Sequence, residues 1–178
     1  MTAIGEGTVP FFVDTGQIPA SDFQEYGAEW AWVNGPLSFQ AEFACANVIA
    51  DAGGTQFYHS GYAYVSYFLT GEHRPYERKR GRVDRVIPFT NFFCVRSKDC
   101  DVCHGLGAWE IAARWAYIDL DQSPNIGAGR MNCYTVGLNW YLTPYFRTMA
   151  NITFADLDNN TFGNSDAQVY SMRAAFDW

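Results

Sequence analysis

No lysine or arginine occurs in the first 73 of the 178 residues, and charged residues of either sign make up only 17% of the chain. Soluble domains usually carry roughly 25%. With a net charge of -7, nucleic acid is not an expected partner. No run of about 18 apolar residues occurs, which excludes a transmembrane helix. Internal repeats and low-complexity segments are also missing, and the length allows one domain. The first residues, Met1 to Gly7, have neither a basic region nor an apolar core, so no signal peptide is read here. The expectation is that an exported protein of this kind begins upstream of Met1. No enzymatic constellation stands out: His59, His73 and His104 have no nucleophile at a telling spacing. Neither a cofactor nor a metal site is expected.

Aromatic residues are abundant, at 17%, and they recur on alternating positions. Near the C-terminus Tyr170, Met172, Ala174, Phe176 and Trp178 share one parity, with Ser171, Arg173 and Asp177 on the other. In a β-strand each parity is one face. The same alternation sets Thr148, Ala150, Ile152 and Phe154 against Arg147, Asn151 and Thr153. It sets Tyr134, Val136, Leu138 and Trp140 against Thr135, Gly137 and Asn139, and Trp109, Ile111, Ala113 and Trp115 against Glu110, Ala112 and Arg114. Upstream, Leu37, Phe39, Ala41 and Phe43 oppose Ser38, Gln40 and Glu42, while Tyr26, Ala28, Trp30 and Trp32 oppose Glu25, Gly27 and Glu29. Residues 56–70 are strand-like, but their two faces are not separable by pattern.

Each apolar face is aromatic at its ends and small or aliphatic between them, as expected of girdles flanking a hydrocarbon band. Tight turns are read at 34–36 and 143–145, and longer polar links at 121–130 and 158–166. Short turns on one rim and long loops on the other is an outer-membrane barrel arrangement. With the C-terminus periplasmic, the 143–145 turn is periplasmic and the 158–166 loop extracellular. Segment 71–107 then falls on the periplasmic side, and it is too long for a turn. The pattern yields seven strands, with 8–13 as the end of an eighth. The expected fold is all-β: an antiparallel transmembrane β-barrel of which this chain supplies about 7–8 strands. Two alternatives stay open on the residues alone: a β-sandwich binding module with one wet face, and a truncated structural barrel that transports nothing.

Taken together, the segments resemble the phosphate-selective porin O/P family of bacterial outer membranes. The resemblance is carried in order by Phe12-Val13-Asp14-Thr15-Gly16, Tyr26-Gly27-Ala28-Glu29 and Tyr67-Phe68-Leu69-Thr70-Gly71-Glu72, with Arg74 and Tyr76 close behind. Gly107-Ala108-Trp109-Glu110-Ile111-Ala112-Ala113-Arg114 and Gly137-Leu138-Asn139-Trp140-Tyr141-Leu142 continue it. It implies the C-terminal half of a 16-stranded barrel spanning residues 1–178, with 71–107 as a long periplasmic-side insertion turned back into the lumen. It also implies a homotrimer in outer-membrane lipid that passes phosphate-like anions, polyphosphate among them, by diffusion. The terminal Trp178 resembles the signal by which the barrel-assembly machinery recognises a last strand.

Eight of the twelve basic residues crowd into 74–98: Arg74, Arg78, Lys79, Arg80, Arg82, Arg85, Arg96 and Lys98. Guanidinium groups hold phosphate bidentately, and basic linings select anions. Arg74, Arg78, Arg80, Arg82 and Arg85 are therefore anion-pathway candidates on the inserted segment, and Arg114, Arg147 and Arg173 on the wall. A solvated basic loop is the competing reading. Glu29, Glu42 and Glu110, on the same parity as the wall arginines, oppose anion entry unless paired. Cys94, Cys100 and Cys103 share the segment, and in an oxidising compartment a disulfide among them is expected. Cys100-Asp101-Val102-Cys103-His104 also spells a haem-attachment motif, with nothing nearby to complete a haem pocket. Cys45 and Cys133 are isolated and read as strand packing.

Overall fold

The computed structural model describes residues 13–51, 54–77, 79, 82–95, 103–121, 128–159 and 163–177, with backbone alone at 82, 83, 94, 95, 103 and 104. Its strands, in chain order, are β1 (Ala20–Asn34), β2 (Leu37–Ala50), β3 (Thr55–Phe68), β4 (Tyr76–Glu77), β5 (Arg82–Val83) and β6 (Phe93–Val95). They continue as β7 (Cys103–Gly105), β8 (Ala108–Asp119), β9 (Arg130–Thr143), β10 (Phe146–Asn159) and β11 (Gly163–Phe176). Seven of them form one antiparallel sheet in the order β1-β2-β3-β8-β9-β10-β11. The short pairs β4–β5 and β6–β7 lie within the segment that joins β3 to β8. The fold is all-β, and each of the six segments read from alternation, with the strand-like 56–70, is a strand of this sheet.

Most of the long strands have 14 residues. That exceeds the 9–11 or so that would suffice to cross a hydrocarbon core. The register resolves the faces of 56–70 that pattern left open. Ser66 pairs with Ala112 and with Ser38, and Tyr64 with Arg114. Directly opposed residues share a face, which puts Gln56, Tyr58, Ser60, Tyr62, Tyr64, Ser66 and Phe68 on the side of Glu42, Glu110 and Arg114. Here the side-chain period is hidden because tyrosine occupies the polar face. We call this the inner face, because the β3–β8 segment packs on it.

Between its two rims the outer face is apolar. Val136, Ile152, Tyr170 and Met172 are exposed there, Met172 at 83%. Its rims are aromatic: Trp109 and Trp140 stack at 4.8 Å, and both indole N–H groups donate to the Leu106 carbonyl. At the other rim Phe57, His59 and Tyr117 are in ring contact.

One expected link shrinks. The 158–166 loop is mostly strand, since β10 and β11 pair as far as Asn159↔Gly163 and leave only 160–162 between them. Asp and Asn are poor strand formers, but a ladder already running is extended by backbone bonds regardless of side chain. Turns are found at 35–36 and 144–145 as expected. The expected eighth strand at 8–13 and the terminal Trp178 lie outside the described residues, apart from Val13.

Candidate functional site

Chain direction places the 35–36 and 144–145 turns, the β3–β8 segment and the end of β11 at the same rim. From there the segment enters the inner face and is fastened at several points. Arg74 reaches Glu110 on β8, with Nε and Nη2 donating to Oε1 at 3.0 and 2.5 Å. The other carboxylate oxygen accepts from Asn139 Nδ2 at 2.9 Å and Tyr141 Oη at 3.1 Å. Arg74 Nη2 also donates to Tyr64 Oη at 2.8 Å. Glu110 is 0% exposed, so its charge is tolerated only because every lone-pair direction meets a donor. Burial opposes the Arg74 charge, but Tyr64 and Glu110 outweigh it and raise its pKa, so it stays protonated.

Further along, buried Glu72 accepts from the Phe89 amide at 3.0 Å and from the Thr70 hydroxyl. Thr70 in turn accepts from the Trp109 amide. Val86 packs into the apolar cluster of Phe68, Ala108 and Tyr141. Phe92 closes the segment over the rim, its amide donating to the Leu142 carbonyl at 2.7 Å and its ring meeting Trp140 edge-on. Segment and wall are thus one packed body at this rim.

Sequence reasoning grouped eight arginines as anion-pathway candidates, and the structure separates them. Arg74 is bound to Glu110 and acts first as a fastener. Arg85 is exposed, with its guanidinium 4.5 Å over the Tyr145 ring. Arg114 lies on the inner face 4.4 Å over Tyr62, and Arg147 on the same face 6.0 Å from the Tyr141 ring. Nε of both Arg114 and Arg147 is buried without a hydrogen-bond partner. Arg173 is exposed on the inner face of β11, opposite Met149. Arg85 and Arg147 line one open cleft of about 380 Å³ at the rim, with Arg74, Asp84, Tyr145 and Asp177. Arg78 and Arg80 lie outside the described residues, and only the backbone of Arg82 is described.

The expected disulfide among Cys94, Cys100 and Cys103 falls outside the described residues. Cys94 and Cys103 are placed only by backbone, on β6 and β7. Cys45 and Cys133 are free thiols on β2 and β9. What sequence reasoning missed was the partnership of Arg74 with Glu110. The two are 36 residues apart, and only the parity of Glu110, a carboxylate on a face with arginines, hinted at it.

Among known sequences, the family described as phosphate-selective porin O and P matches residues 7–178. Porin O of Pseudomonas aeruginosa is 27% identical over 161 residues, covering 83% of this chain and 34% of that protein. An uncharacterized protein of Caulobacter vibrioides is 28% identical over 149 residues, covering 84% of this chain and 28% of its own length. The chain therefore spans about a third of the length of the curated relatives it matches.

Proposed function

The chain belongs to the phosphate-selective porin O and P family, and from that premise we propose that its sheet is a section of an outer-membrane barrel wall through which anions diffuse. The observation that carries this reading is the difference between the two faces. The outer face is apolar with aromatic rims and suits lipid. The inner face is polar and carries Arg114, Arg147 and Arg173, none of which has a carboxylate partner among the described ion pairs. In water an apolar face of this extent drives aggregation; in a bilayer it needs no cover.

The sheet edges support a larger barrel. β1 and β11 pair on one side only among the described residues, and open edges are not tolerated in hydrocarbon. Seven is odd, so β1 and β11 run in the same direction. Two such sheets joined edge to edge in one orientation would meet in parallel seams. An odd number of further strands closes the barrel with antiparallel seams throughout, in keeping with nine more in a barrel of 16. Segment 71–107 is then an insertion into the lumen from the rim of short turns, which we assign to the periplasmic side.

Phosphate-like ions, polyphosphate included, are the proposed cargo, a homotrimer the proposed assembly, and the barrel-assembly machinery the proposed reader of the strand ending at Trp178. Transport by this route has no turnover and no covalent step. Guanidinium groups attract the ion and replace part of its hydration. The test is reconstitution, in planar bilayers, of the full polypeptide that the source cell makes, with reversal potentials read in KCl and potassium phosphate gradients. Anion-selective potentials support the reading; cation selectivity or a complete lack of conductance from folded protein overturns it.

A further inference from the structure

The charges of the inner face are sorted by sector. On β1 and β2 its positions between the strand ends carry Glu25, Glu29 and Glu42 and no cation. On β3 they carry no charge at all: Gln56, Tyr58, Ser60, Tyr62, Tyr64, Ser66 and Phe68. From β8 to β11 they carry Arg114, Arg147 and Arg173, and the one carboxylate inside that sector, Glu110, is tied to Arg74. The sorting is sharpest near mid-strand. Glu29 stands directly opposite Glu42, and Glu42 directly opposite Tyr62. The Tyr62 ring lies beneath Arg114. The acidic and basic sectors therefore meet at one tyrosine.

Two like charges placed directly across a strand pair destabilise a sheet. Glu29 and Glu42 sit so at mid-depth, and no cation reaches either among the described ion pairs. Strands are spaced by about 4.8 Å, so β2 and β8, with β3 between them, lie about 10 Å apart along the wall. β1 and β10 are separated by five such steps. At physiological ionic strength the Debye length is about 8 Å. An ion travelling along β10 is then screened from the carboxylates of β1, while Glu42 and Arg114 stay close enough to oppose each other directly.

We infer that Glu29 and Glu42 are specificity-determining residues which give this wall a cation-attracting lane beside its arginine lane, so that they lower the anion selectivity of the pore. The inference rests on the anion-diffusion reading above and adds to it the residues that set its extent. A unit charge about 10 Å away in water changes the local concentration of a univalent ion about twofold when unscreened. Removing the carboxylate sector thus acts on cations and anions in opposite senses.

The experiment uses the full polypeptide with Glu29→Gln and Glu42→Gln together, and separately with Arg114→Gln. Folding is checked by heat-modifiable gel mobility, and reversal potentials are read in KCl gradients centred near 10 mM and near 1 M. The expected result is an anion-to-cation permeability ratio raised at least about twofold in the double variant at low salt, with little change at high salt. Arg114→Gln is expected to shift the ratio the opposite way. A folded, conducting double variant whose low-salt ratio equals the wild type overturns this inference and leaves the porin reading standing. Wild-type protein that folds yet passes no current overturns both.

Discussion

Replacing Glu110 by alanine is expected to release the β3–β8 segment from the wall while leaving the sheet formed. The carboxylate accepts from Arg74 twice, and from Asn139 and Tyr141 once each. Its removal strands a guanidinium whose side chain is only 20% exposed. Breaking a buried ion pair from one side costs about 3–5 kcal/mol. The sheet, held by its own backbone ladders, does not depend on this contact. The relaxed response is therefore for the segment to lift and let water reach Arg74. That cost corresponds to roughly two to four orders of magnitude in the local opening equilibrium. Hydrogen exchange reads this directly, because the Phe92 amide donates to the wall, at the Leu142 carbonyl, only when the segment is docked. In detergent-solubilised protein its protection should fall by that factor while β9 and β10 amides keep theirs. Single-channel conductance should rise or flicker at the same time. A double replacement, Arg74→Gln with Glu110→Gln, leaves no uncompensated charge and should restore much of the protection. If Glu110→Ala keeps wild-type exchange at the Phe92 amide, the fastening role assigned to this pair is wrong.

Other expectations follow from the two faces and the turns. Val136→Arg puts a charge on the outer face near mid-strand and should cost about 2–4 kcal/mol in folding into lipid, whereas Thr135→Arg, one residue away on the inner face, should cost far less. Urea titrations of folding into vesicles compare the two, and equal costs would refute the assignment of lipid and lumen sides. Gly107→Ala should destabilise by about 1–3 kcal/mol. Gly107 has φ +69°, and an added Cβ there would collide with the Tyr141 carbonyl oxygen, which backbone pairing holds in place. An unchanged denaturation midpoint would show that this corner relaxes freely. Arg147→Gln, which removes a cation from the rim cleft, should lower phosphate current relative to potassium, read as a reversal-potential shift in potassium phosphate. An unmoved potential takes Arg147 out of the pathway.

Legibility in the sequence followed the physics of each element. Strands β1, β2, β8, β9, β10 and β11 were readable because one parity is apolar over several successive positions, and a period of two survives no other backbone. β3 was readable as a strand but not by face, since its inner positions are rich in tyrosine, whose ring counts as apolar while its hydroxyl serves a polar wall. The shortening of the 158–166 link was hidden for a different reason. Gly, Asn and Asp there signal a loop by local preference, yet the β10–β11 ladder runs through them.

Composition and alternation by themselves determined the class of fold, six of the sheet's strands with their two faces, and the parity of Arg114, Arg147 and Arg173. These depend only on neighbours along the chain, because side-chain direction in an extended backbone reverses at each residue. Tertiary structure alone decided which arginine is bound and which is free. Arg74 and Arg85 look alike in a basic run, but one meets Glu110 and the other meets the ring of Tyr145. It likewise brought Glu29, Glu42, Tyr62 and Arg114 into adjacent positions around one wall. Such groupings come from strand register, which sums turn geometry and pairing over tens of residues, and no local pattern in the chain encodes that sum.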